Sequence, residues 1–182
     1  GYLGNVHGHV VVDMFCGIGN FTLPLARAGA LAVGIEASDE AVEMAKENAR
    51  VNRVDHASAF YAEDLYGEGG ALVSATDESD ETAPTGSSIN ACFDHFSQSP
   101  DALILDPPRS GAGPNLEGWA GIPSLKQIVY VSCNPVTFAE DAKRLKAKGY
   151  VLEQVGVYDM FPGTAHVETG GRFVRTSVVG SD

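Results

Sequence analysis

Three short stretches of this chain, each following an apolar run, carry residue types that could do chemistry together. Cys133 stands in Ser132-Cys133-Asn134-Pro135, directly after the β-branched run Ile128 to Val131. A free cysteine is most often a buried core thiol, but one set between these polar neighbours at a strand end is placed to act as a nucleophile. Asp106-Pro107-Pro108-Arg109-Ser110-Gly111 follows a second run, Ala102 to Leu105, and would face the same crevice. Phe15-Cys16-Gly17-Ile18-Gly19-Asn20 follows a third, and its glycines would let a ligand approach the backbone at a helix N-terminus. A dinucleotide site usually sets a further glycine at position 22, where this chain has Thr22. Glu36 ends the next strand, where a carboxylate can accept both hydroxyls of a ribose. Asp64, just past a third strand, is placed to accept from an adenine amino group. Singly, each is as easily a turn glycine or a surface carboxylate; in combination they predict a nucleoside cofactor without a pyrophosphate.

The elements that must position these residues alternate in type. His9 to Phe15, Ala30 to Ile35, Ala57 to Tyr61, Ala102 to Leu105, Ile128 to Val131 and Val151 to Val157 read as strands, with Arg172 to Thr176 as a possible last one. Phe21 to Ala28 reads as helix with Pro24 in its first turn, Asp39 to Val51 as a helix capped by Ser38, and Val136 to Lys148 as a helix closed by Gly149. Such alternation predicts a doubly wound, mostly parallel α/β sheet with ligands beyond the carboxyl ends of its strands.

The glycine loop, Glu36 and Asp64 together resemble the S-adenosylmethionine site of the Rossmann-like class I methyltransferases. The pairing of Asp106-Pro107-Pro108-Arg109 with Ser132-Cys133-Asn134-Pro135 resembles, more narrowly, the RNA 5-methyluridine methyltransferases, across roughly residues 10 to 176. Amino-directed methyltransferases typically have an aromatic residue where Arg109 stands, and RNA 5-methylcytosine enzymes usually have a cysteine in both motifs. The resemblance extends to Asp13 through Phe21 and to Asp159 through Glu168, whose Asp159-Met160-Phe161-Pro162 looks closer to members acting on 23S ribosomal RNA than on transfer RNA.

The resemblance implies that Phe15, Asn20, Glu36, Asp64 and Asp106 line the S-adenosylmethionine site with the loop glycines Gly17 and Gly19, that Cys133 is the nucleophile, and that Glu168 is the base. Uracil chemistry asks for those last two roles: a thiolate at carbon 6 makes carbon 5 nucleophilic, and a base must then remove the carbon-5 proton. A target base must also leave its stack to enter the crevice, and Phe161 is a candidate wall. Glu168 could otherwise be an exposed carboxylate; His166 stays unassigned and Cys16 looks like loop packing.

Composition bounds the rest. A length of 182 residues with 44% hydrophobic content predicts one domain, interrupted by an acidic insertion near residues 74–100. Cys16, Cys92 and Cys133 are too few and too scattered for a disulfide framework or a metal site, which fits a reducing cytoplasm. No apolar stretch has the length of a membrane span. The net charge of −12, from 12 Lys+Arg against 24 Asp+Glu, argues against gripping a polyanion by general electrostatics. Larger members of the family carry an upstream RNA-binding β-barrel and a central segment bearing a cofactor-contacting glutamine, some with an iron-sulfur cluster. These residues hold none of it, and the first residue is not Met, so the expectation is a catalytic module cut from something longer that binds RNA weakly alone. Two other readings stay open: an RNA 5-methylcytosine methyltransferase, separated by mass analysis of the methylated nucleoside, and a catalytically silent cofactor-binding scaffold, separated by substitution of Cys133.

Overall fold

The computed structural model describes residues 2–71, 90, 94–159 and 167–176. Among the described residues, seven strands form one sheet in the order β3-β2-β1-β4-β5-β7-β6. These are β1 (Val10–Met14), β2 (Leu31–Glu36), β3 (Ser58–Ala62), β4 (Ala102–Leu105), β5 (Gln127–Ser132), β6 (Tyr150–Tyr158) and β7 (Glu168–Arg175). β1 through β5 pair in parallel, whereas β7 runs antiparallel to both β5 and β6. The central strands are covered on both faces, so β1 is buried at every position and β4 likewise.

The helices follow local rules. In α1 (Thr22–Arg27), Pro24 falls in the first turn, where a missing N–H costs nothing. In α2 (Asp39–Val51), Ser38 Oγ accepts from Ala41 N at 3.2 Å and Val42, Ala45 and Ala49 make the buried stripe. A short helix, α3 (Leu116–Ala120), escapes the sequence reading because its five residues are too few to show a period. It brings Trp119 fully into the core, where the indole donates to Gly70 O at 2.8 Å. Helix α4 (Pro135–Ala147) begins on Asn134, whose Oδ1 accepts from Val136 N at 3.0 Å, and ends before Gly149, held at φ +85.

The last strand differs most from the sequence expectation, starting at Glu168 rather than Arg172. Gly170-Gly171 hides it, because glycine is depleted in strands. Here the glycines sit under close neighbours: a Cβ at Gly170 would lie a tight 3.1 Å from the Tyr2 ring, and one at Gly171 would clash at 2.6 Å with Phe138 Cζ. Of the acidic insertion, the described end, Asp94–Phe96, packs at the sheet edge, where the Tyr61 hydroxyl hydrogen-bonds His95 Nδ1.

Candidate active site

Sheet register assembles the chemistry. Ile35, Met14, Leu105 and Tyr130 lie abreast across β2, β1, β4 and β5, so Glu36, Phe15 and Asp106 each follow at the same carboxyl edge. On the other side of β5, Ser132 pairs antiparallel with Thr169. Cys133 is the residue that follows this pair at the end of β5, and Glu168 the one that precedes it on β7. Val129 and Val131, on one face of β5, line a single cavity of about 870 Å3 together with Cys133, Asp106 and Glu168. Phe21, Pro24, Leu25 and Ile104 give it apolar walls.

A second cavity, about 250 Å3, opens between the ends of β1, β2 and β4 and is lined by Phe15, Glu36, Leu65, Tyr66, Asp106 and Pro108 among others. Asp106 lies on both cavities and so forms the wall they share. Phe15 adopts φ 65, a left-handed conformation uncommon for an aromatic residue, at the strand-to-loop turn. Its ring lies 5.7 Å from that of Tyr66 and 6.2 Å from that of Trp119. The Glu36 carboxylate is oriented by three backbone donors: Gly17 N at 3.1 Å, Ala37 N at 2.8 Å and Ser38 N at 3.2 Å.

The remaining expected cofactor residues divide. Gly17, at φ +53, has open space where a side chain would sit. Gly19, at φ +92, is instead packed against Leu23 and Phe60, and with Asn20 it lines a separate cavity of about 390 Å3 near Asn48, Asn52 and Arg27. Asp64 is exposed and off the wall of the smaller cavity, its Oδ1 accepting from Tyr66 N at 3.0 Å in a side-chain-closed turn. Tyr66 and Leu65 were missed by sequence reasoning; the signal was their place just after Asp64, in the loop that leaves the third strand. Phe161 and His166 lie outside the described residues, as does Cys92.

Electrostatically the site is acidic. Burial, and then repulsion from Glu168, pushes the Asp106 carboxyl up to about 6. Asp13, fully buried in β1, is pushed up to about 7 by desolvation, with Asp106 and Glu36 adding to it; the Thr22 hydroxyl donates to its Oδ2 at 2.6 Å and opposes the shift, while Oδ1 has no partner. Cys16 lies beneath the glycine loop, buried, and desolvation followed by the Asp13 and Glu36 charges raises its thiol well above the ordinary range. A neutral thiol without access is inert, so of the described cysteines only the half-buried Cys133 is placed to react.

Residues 3–176 match the family described as tRNA (Uracil-5-)-methyltransferase. The chain belongs to this family. It is 41% identical over 169 residues to a 23S rRNA (uracil(1939)-C(5))-methyltransferase of Aromatoleum aromaticum, covering 92% of this chain and 34% of that protein. The Hahella chejuensis enzyme of the same name is 40% identical over 168 residues, covering 92% and 33%. The chain therefore spans about a third of the length of these relatives. Among solved structures, the Pyrococcus abyssi tRNA (uracil-54, C5)-methyltransferase bound to S-adenosyl-L-homocysteine superposes with a TM-score of 0.69 at 32% identity, covering 93% of this chain and 35% of that one. The fold alone is shared with the magnesium protoporphyrin IX methyltransferase of Synechocystis, at a TM-score of 0.63 and 19% identity, covering 95% and 73%. The Rossmann-like class I methyltransferase fold expected from the sequence is thus the one observed.

Proposed function

We propose that this chain holds the catalytic site of an S-adenosylmethionine-dependent enzyme that methylates carbon 5 of a uridine in RNA through a covalent Cys133 adduct. The observation that carries the proposal is that Cys133 and Glu168, which flank the Ser132–Thr169 pair, line one cavity whose wall shares Asp106 with the smaller cavity. The ribosomal substrate of the relatives at 40–41% identity favours 23S rRNA over transfer RNA.

The smaller cavity fits a cationic nucleoside. Phe15, Leu65, Tyr66 and Pro108 offer apolar faces, and Glu36 is a fixed acceptor for ribose hydroxyls. Asp106 and Glu168 repel each other, and a cation near them removes part of that cost. When bound, the cofactor supplies a methyl group on a positively charged sulfur that departs as a neutral thioether. Cys133, as thiolate, adds to carbon 6 of the base, and the displaced electron pair makes carbon 5 the nucleophile that takes the methyl. Glu168 then accepts the carbon-5 proton; the C–H electron pair re-forms the ring double bond, and the Cys133 sulfur leaves as thiolate. The walls beside Cys133, from Phe21, Pro24, Leu25 and Ile104, offer the base an apolar surface.

In the intact protein, Cys133→Ala should abolish 5-methyluridine formation, read by nucleoside mass analysis, and Glu168→Gln should accumulate a protein-RNA adduct that survives a denaturing gel. Methylation by Cys133→Ala would refute the covalent route. A methylating Glu168→Gln enzyme with only free protein on the gel would remove Glu168 as base, and 5-methylcytidine as product would favour the cytosine reading.

A further inference from the structure

The loop after β4 carries Asp106 and Arg109, yet its backbone hangs on helix α4 rather than on its own strand. Asn134 Nδ2 donates to Arg109 O at 3.0 Å, and the Thr137 hydroxyl, with one proton to give, lies 3.3 Å from the same oxygen and 3.2 Å from Asn134 O. Two turns on, Asp141 Oδ2 accepts from Ala112 N at 2.8 Å, and Arg144 Nη2 donates to Gly113 O at 2.7 Å. Positions 134, 137, 141 and 144 are spaced three, four and three apart, which is one face of a helix. The stripe is rigid in its own right. Asp141 also accepts from Tyr130 Oη at 2.5 Å and from Arg144 Nη1 at 2.7 Å, and Arg144 Nε donates to Glu117 at 2.6 Å.

The same helix start holds the nucleophile. Ser132 Oγ accepts from Asn134 N at 3.1 Å and donates to Asn134 O at 3.0 Å, closing the turn around Cys133. Asn134 thus uses its backbone to fix Cys133, its Oδ1 to cap α4, and its Nδ2 to hold the Asp106 loop. From the cofactor side, Tyr66 Oη donates to Gly111 O at 2.5 Å and grips the same loop.

We infer that Asn134 and Thr137, continued by Asp141 and Arg144, are positioning residues that set the Asp106–Arg109 loop at a fixed distance from Cys133. The inference rests on the proposed uridine methylation and deepens it: methyl transfer needs the thiol-activated base and the carboxylate wall of the cofactor cavity in register, and a misplacement of about 1 Å can cost about a hundredfold in rate. A merely structural stripe would lower melting temperature and cofactor affinity together. A positioning stripe lowers kcat with both retained.

The test is the double variant Asn134→Ser/Thr137→Val in the intact protein. Serine still caps α4, and valine keeps the shape of threonine, but neither reaches Arg109 O with a donor. The expected result is a fall in kcat of at least about tenfold, with S-adenosylhomocysteine affinity within about twofold, melting temperature nearly unchanged, and Thr137→Ser, which restores the hydroxyl, close to wild type. Wild-type kcat in the double variant would overturn the inference, as would a loss explained by weaker cofactor binding or by unfolding. Absence of product from the wild type would instead remove the proposed methylation, and this inference with it.

Discussion

Replacing Asp13 by Asn should change how stability depends on pH, and the size follows from its surroundings. Asp13 is fully buried, takes one hydrogen bond from Thr22, and is pushed from 3.8 up to about 7. Because the folded chain binds this proton more tightly than the unfolded chain, the stabilising contribution is complete below about pH 4 and is lost as pH rises through 7. A rise from 3.8 to about 7 corresponds to about 4 kcal/mol, of which about 2.5 kcal/mol is lost between pH 5 and pH 8. Asparagine does not titrate and can still accept from Thr22. Wild type should therefore lose about 2.5 kcal/mol relative to Asp13→Asn over that range, equivalent to roughly 5–10 °C of melting temperature for a domain of this size. Paired carboxylates such as Asp101 with Lys126 and Glu117 with Arg144 are lowered and act in the opposite sense, but they are common to both proteins and cancel in the difference. Thermal melts followed by circular dichroism at several pH values give the comparison. A wild-type minus variant difference that stays flat from pH 5 to pH 8 would refute the assignment of a proton to Asp13.

Gly171→Ala would place a Cβ 2.6 Å from Phe138 Cζ, and that ring is itself wedged 5.4 Å from Tyr130 and 5.9 Å from Phe173. The strand should lose about 1–3 kcal/mol, visible as a lower melting temperature, and an unchanged melt would show that the ring can yield. Glu36→Gln removes the charge and the acceptor for Gly17 N, and isothermal titration should find S-adenosylhomocysteine bound weaker by about 1.5–3 kcal/mol, roughly ten- to a hundredfold. Unchanged affinity would take Glu36 out of the binding site.

The residues legible in the sequence are those whose role depends on local order along the chain. Ser38 caps a helix at the expected place, and Glu36, Asp106 and Cys133 sit at strand ends because an apolar run ends just before each. What was hidden depends on contacts between distant segments. Tyr66 belongs to the smaller cavity only because its ring meets Phe15, 51 positions earlier, and its hydroxyl reaches Gly111. Gly170-Gly171 falls outside the strand read from the sequence, which begins at Arg172, and belongs to it only where Tyr2 and Phe138 pack against the glycines. Gly19 looks like a ligand-approach glycine in the motif, yet the space above it is filled by Leu23 and Phe60, and only the fold reveals that.

Under the proposed mechanism the antiparallel strand has a reason to exist. Five parallel strands deliver their last residues to one edge, and that supplies Phe15, Glu36, Asp106 and Cys133. A sixth parallel strand beside β5 would bring another carboxyl end, and with it a loop leading away into the next helix. β7 enters from that edge instead, so its first residue, Glu168, stands beside the last residues of β5 while the rest of the strand is locked between β5 and β6. A base held on a strand keeps its place against the thiol more tightly than one on a loop. The proposed mechanism needs that constancy, since Glu168 has to reach carbon 5 while Cys133 stays bonded to carbon 6 of the same ring.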